Sequence, residues 1–131
     1  MTIPAAVMDL LKRPDTTKLL VTSCKCGQPH AIVCGSIIPI DENTVGVGQV
    51  LMQTTVSFMK DNPKVAIEVI DGKTAYELRG EVIGSQTSGP GLDQLNGMLA
   101  KVGLKASALW TFSIKEVYDE SAGPNAGKKI A

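Results

Sequence analysis

Apolar positions in this chain change their period several times between the two ends. Ile3, Val7, Leu10 and Leu11 recur at helical spacing and share one face. Thr2 is placed to cap that helix, and Pro4 stands where a missing N–H does no harm. Pro14 stops it. Residues 18–24 (KLLVTSC) then read as a strand, followed by a turn at 25–29 that carries Gly27 and Pro29. Residues 30–40 (HAIVCGSIIPI) predict a second strand, and 44–48 (TVGVG) a third, with Val45 and Val47 on one face and Gly46 and Gly48 on the other.

Helical spacing returns with Met52, Val56 and Met59, where Thr54 or Thr55 serves as the N-cap and Asn62-Pro63 ends the helix. Residues 64–70 (KVAIEVI) alternate strictly. Asp71-Gly72 is a two-residue hairpin signal, and the chain returns as a long strand over 74–85. Leu92, Leu95, Leu99 and Val102 predict a third helix closed by Gly103, and 106–118 a last strand. The tail, 119–131, is polar and small, a loop or a segment ordered by a partner. No internal repeat is visible.

The predicted order is α-β-β-β-α-β-β-α-β. Its short links favour antiparallel pairing. Six strands around one core predict a mainly β fold with short helices, a six-stranded antiparallel barrel that is closed or partly closed.

The 131 residues suit a single domain over 1–131. Thirteen Lys+Arg offset thirteen Asp+Glu, so the chain lacks the cationic surplus that nucleic acid demands. The N-terminus does not read as a signal peptide, and no apolar run reaches the length of a membrane span. The expectation is a soluble, cytoplasmic, reduced protein with no membrane and no nucleic-acid partner. Only five aromatics occur (Phe58, Tyr76, Trp110, Phe112 and Tyr118), so the core must be aliphatic.

Candidate chemistry concentrates in two places. Gly46 and Gly48 weaken a strand unless something must approach its backbone. A flat ligand, a phosphate or a simple barrel bend would each account for them. Cys34, Gly35 and Ser36 are small and, on this reading, mid-strand, leaving room for a flat ring; Cys34 is read as a small core residue rather than a redox thiol. Cys24, Cys26, His30 and Cys34 include zinc-ligand types. Their spacing fits no common finger, and four strand residues put Cys34 roughly 13 Å beyond His30, so no metal is assigned. Cys24 and Cys26 are too close in sequence for an easy disulfide. His30 is the single histidine, and no nucleophile elbow is present.

The element order, with these segments in it, resembles the FMN-binding split-barrel family of pyridoxamine 5′-phosphate oxidase-like proteins, over about residues 4–118. The resemblance is carried by HAIVCGS at 30–36, by VGVG at 45–48 leading into TTVSFMKDNP at 54–63, by the strand pair KVAIEV and YELRGEV, and by FSIKEVY at 112–118. It implies a homodimer holding two FMN molecules at its interface and acting on a small-molecule substrate. By position, the resemblance places Val33, Cys34, Gly35 and Ser36 at the flavin edge. It places Val47, Gly48, Gln49, Thr54 and Thr55 around the phosphate. Trp110 is read as core, as dimer interface or as a flank to the flavin.

Two residues depart from the family pattern. Thr54 stands where the family has a cation, and Phe58 where it has Asn. A lysine would give the phosphate a charge-assisted contact. Without it, Thr hydroxyls and a helix N-terminus remain, or Lys128 of the tail substitutes. The resemblance thus implies an FMN-dependent oxidoreductase with no assigned catalytic residue. A non-catalytic flavin carrier or electron-transfer protein, and a binding module whose flavin site has decayed, are the alternatives.

Overall fold

Alternating apolar positions gather every strand of the chain into one antiparallel sheet. The computed structural model describes all 131 residues, in the order α1 (Ala5–Lys12), β1 (Thr17–Ser23), β2 (Pro29–Val33), β3 (Ile37–Pro39), β4 (Thr44–Gly48), α2 (Thr54–Asp61), β5 (Lys64–Asp71), β6 (Thr74–Gln86), α3 (Pro90–Leu99), β7 (Leu109–Asp119) and β8 (Lys128–Lys129). A 3₁₀ turn, Ala100–Val102, extends α3 to Gly103, whose φ of 72° ends it.

The strands pair in the order β2-β1-β5-β6-β7-β4-β3, with β8 added to β7. The sheet curls on itself but does not close, which makes it a split barrel. Leu20, Ile67, Leu78, Phe112, Ile114 and Val117 point inward and are fully or almost fully buried. α1 packs against β3 and β5, and α2 against β1 and β2. A smaller cluster joins Leu92, Leu95 and Leu99 of α3 to Ala106 and Leu109. Lys18 also points inward. Its Nζ donates to the Arg13 carbonyl at 2.8 Å, and burial lowers its pKa.

β6 bends at two register shifts, one after Arg79 and one after Val82. Gly80 is required at the first, because a Cβ there would lie 2.5 Å from the Ser113 carbonyl oxygen. No helix is long and apolar enough to cross a membrane.

Several boundaries differ from expectation. The strand expected over 30–40 is two strands, because its halves pair at opposite edges of the sheet: β2 with β1, and β3 with β4. The chain must turn between them, so Cys34, Gly35 and Ser36 lie in a connecting turn and not mid-strand. Pro4, not Thr2, is the N-cap of α1, since Ile3 N–H is drawn to the Glu42 carbonyl at 2.8 Å. Gln53, not Thr54 or Thr55, is the N-cap of α2. The last strand starts at Leu109 rather than Ala106, whose N–H and carbonyl are both taken by the Asn96 side chain. The tail is not all loop: Lys129 and Lys128 pair with Tyr118 and Asp119.

Cys24 and Cys26 form a disulfide, against the expectation from their closeness in sequence. The turn after β1, with Gly27 at φ 89°, brings their Cα atoms to 5.1 Å, inside the ordinary range for a bridge.

Candidate functional site

The split in the barrel is spanned by the turn between β2 and β3. Cys34 N–H donates to the Lys18 carbonyl of β1 at 2.9 Å, on one side of the split. On the other side, Gly48 N–H donates to the Ser36 carbonyl at 3.2 Å, and the Ser36 hydroxyl donates back to the Gly48 carbonyl at 3.0 Å. Cys34 Sγ lies 3.2 Å from Ser36 Oγ. The single Ser36 proton is already committed to Gly48, so the Cys34 thiol is the donor of this pair. Cys34 is buried and held as a hydrogen-bonded thiol, in keeping with a structural residue.

Beside this turn lies an open cleft of about 830 Å³, within the range of small-molecule sites. One wall is residues 32–36. A second is residues 50–55, which lead into α2 and include its first turn. The third is apolar: Leu99, Val102 and Leu104, from the end of α3 and the segment after it. The cleft brings Val33, Cys34, Gly35 and Ser36 together with Thr54 and Thr55. Thr55 is buried and Thr54 exposed. Gln53 makes no side-chain cap bond, so the first-turn N–H groups of α2 are not capped by a side chain. Such a helix start favours an anion. His30 and Cys34 are the titratable groups lining the cleft, and no lysine or arginine lines it.

Five other residues that the sequence offered for the site, Val47, Gly48, Gln49, Trp110 and Lys128, do not line this cleft. Val47 is fully buried, paired with Ile37 and Trp110. Gly48 is hemmed in by the protein itself, for a Cβ there would meet Leu95 Cδ2 at 2.6 Å and Ala106 Cβ at 3.2 Å. Gly46 is likewise closed off, by Ile40 and Leu109. The two glycines of β4 thus accommodate side chains of the fold. Gln49 receives the Trp110 indole N–H on Oε1 at 3.0 Å, and its backbone bonds Ala108 and Ser107. Trp110 is buried in the main core. Lys128 lies on β8, with Nζ 3.3 Å from Asn125 Oδ1.

The cleft also has residues that the sequence did not single out. Leu51 sits on its rim, 97% exposed, with a φ of 53° that few non-glycine residues adopt. Val102 and Leu104 flank Gly103 and are exposed. Apolar residues on both sides of a helix-ending glycine were the available signal. His30 packs edge-on against Phe58 of α2, with ring centroids 5.8 Å apart.

No protein-family model matches this sequence, and no curated protein is significantly similar to it. Solved structures do match. HupZ of group A Streptococcus, in a tagged form, aligns with a TM-score of 0.80 at 20% identity, over 95% of this chain and 99% of that one. An FMN-binding protein from Syntrophomonas wolfei aligns at 0.77 with 12% identity, over 91% and 84%. A protein of the pyridoxinephosphate oxidase family related to general stress protein 26, from Clostridium acetobutylicum, aligns at 0.68 with 15% identity, over 98% and 97%. The fold of this chain is therefore that of the split-barrel proteins its sequence resembles.

Proposed function

We propose that this protein binds FMN in the cleft between the 33–36 turn and the start of α2, in a site completed by a second copy of the chain. The observation that carries this reading is the meeting of Val33–Ser36 with Thr54 and Thr55 across one cleft. The Thr54 and Thr55 hydroxyls and the α2 N-terminus would hold the phosphate. Gly35, which has no side chain, and the small Ser36 would leave room for the ring, and Leu99, Val102 and Leu104 would shield it from water. When bound, FMN supplies hydride and electron transfer, while the protein binds and orients it. The reaction class that suits the cleft is oxidoreduction of a small molecule by direct transfer through the flavin, a step that requires no acid–base side chain.

The exposed apolar residues around the rim support the dimer. Leu51, Val33, Val102 and Leu104 are 97%, 75%, 70% and 44% exposed. Burying such a patch against a second copy is favourable. Titration with FMN, followed by visible absorption and native mass, tests the reading. The expected result is one FMN per chain and a dimeric mass; absence of FMN uptake by the folded protein overturns it.

A second reading rests on the lack of a cation in the cleft. A phosphate close to a dianion there meets only neutral donors, the pattern expected of a decayed flavin site. Lys128 would correct the balance only if a second copy delivered it. Binding of FMN without turnover of any electron donor would instead mark a flavin carrier.

A further inference from the structure

Neither the cleft nor the core accounts for Cys24 and Cys26. Their disulfide encloses a loop of three residues. Loop-closure entropy is smallest for such short loops, so a cross-link here restrains the unfolded chain little. The turn is also held without it, by Cys24 N–H to the Gln28 carbonyl at 3.3 Å and Gly27 N–H to the Cys24 carbonyl at 3.1 Å. Structural stapling therefore explains the bridge poorly.

The two sulfurs sit in different surroundings. Cys26 is exposed, and so are Lys25, Gly27 and Gln28 around it. Cys24 is only 8% exposed, and its Sγ accepts the Gln28 N–H at 3.3 Å. A thiolate from outside can reach Cys26. Charge that develops on the departing Cys24 sulfur is met by a backbone donor already in place, and a stabilised thiolate leaves faster. Lys25, the residue between them in sequence, adds a positive charge to the same exposed turn. The turn is fixed against α2 by Lys25 N–H, which donates to Asp61 Oδ2 at 2.7 Å.

We propose that Cys24 and Cys26 are a thiol–disulfide exchange site for an external dithiol, with Cys26 the sulfur attacked and Cys24 the sulfur that leaves. One thiolate of the dithiol bonds to Cys26 Sγ as the Cys24–Cys26 bond breaks, and Cys24 takes a proton from solvent. The second thiol of the dithiol then displaces Cys26, which is protonated in turn. The dithiol is oxidised to a disulfide, and this chain gains two electrons and two protons as two thiols. The proposal is independent of what fills the cleft.

The test uses the full chain, dithiothreitol and glutathione disulfide as probes, and maleimide labelling read by intact mass. Cys34 is buried and serves as an internal report of unfolding. Dithiothreitol should expose two labelled thiols per chain, not three, with the melting curve retained, and glutathione disulfide should restore the bridge. The Cys24→Ser variant should form a mixed disulfide with glutathione at Cys26, at least about tenfold faster than Cys26→Ser does at Cys24. Resistance of the native bridge to dithiothreitol, labelling of all three thiols together, failure of the reduced protein to re-form the bridge, or equal rates in the two variants would each overturn the proposal.

Discussion

Ser36 and Gly48 are joined by two hydrogen bonds, one in each direction, at 3.0 and 3.2 Å. These bonds tie the turn that lines the cleft to the end of β4 and hold the barrel's split at a fixed width. Ser36→Ala removes the side-chain bond and leaves the Cys34 thiol without its acceptor. It should cost about 1–2 kcal/mol, a fall in Tm of about 3–8 °C. FMN affinity should fall with it, because the turn is then free to shift. Thermal melts and FMN titration of the same variant check both effects.

Gly48→Ala tests whether β4 is shaped by the protein or by a ligand. The new methyl would meet Leu95 Cδ2 at 2.6 Å, in the packed cluster under α3. Overpacking of this kind costs about 1–3 kcal/mol. The loss should be the same with and without FMN. An unchanged melting temperature in the absence of FMN, combined with weaker FMN binding, would show that a ligand, not Leu95, demands the glycine.

Thr54→Lys restores the cation that the resembling family carries at this position. Thr54 is exposed at the first position of α2, where a side chain can reach into the cleft. Charge-assisted contact with the phosphate should tighten FMN binding about tenfold, equivalent to about 1.4 kcal/mol. Without an anion the same lysine opposes the helix dipole and should lower stability by a few tenths to about 1 kcal/mol. Calorimetric titration and melts with and without FMN should therefore show opposite signs. Changing Thr54 and Thr55 together to Val should weaken FMN binding; unchanged affinity would mean that the phosphate lies elsewhere.

Much of this architecture was legible because period and turn chemistry are local. Val65, Ile67 and Val69 alternate and are all buried, and Asp71-Gly72 makes the hairpin its sequence announces, with Gly72 at φ 60°. The break at Cys34–Ser36 was not legible, because β2 pairs back with β1 and β3 forward with β4, and only the later strands β5, β6 and β7, inserted between β1 and β4, set those two hairpins at opposite edges of the sheet. The glycines of β4 carry the same lesson. Their spacing signals a close approach, but only the folded chain shows Leu95 and Ile40 as what approaches. The Cys24–Cys26 bridge depends on one turn conformation that residue spacing does not reveal.

Glu68 and Glu77 face each other across β5 and β6. Burial first, then the charges of Glu77 and Glu120, raise the pKa of Glu68 above its ordinary 4.5. Leu19 of β1 packs on the other side and brings no charge. Arg79 is engaged by Glu77 at 2.9 Å and lies over the Tyr118 ring. A raised carboxyl pKa means that the fold favours the protonated form. Its stability contribution is therefore present below the unfolded value and lost as pH rises through the folded one. Glu68→Gln should raise the melting temperature at pH 7, and the gain should vanish well below pH 4.5. A gain independent of pH would point to packing rather than charge.

Leu51 combines two costs: a left-handed backbone and an almost fully exposed apolar side chain. A leucine in that conformation stores about 1–3 kcal/mol of strain, and exposure returns nothing to the isolated chain. Contact with a second copy would supply the compensation. Asn is tolerated in left-handed backbone far better than Leu, so Leu51→Asn separates the two effects. The isolated chain should be as stable as the parent or slightly more so, because strain is relieved. Self-association should weaken, because the apolar contact at the rim is lost. Sedimentation velocity across a concentration series reads the second effect, and chemical denaturation at low concentration the first. Undiminished association of Leu51→Asn would place the dimer contact away from the cleft rim, and with it the assumption that the second copy completes the flavin site.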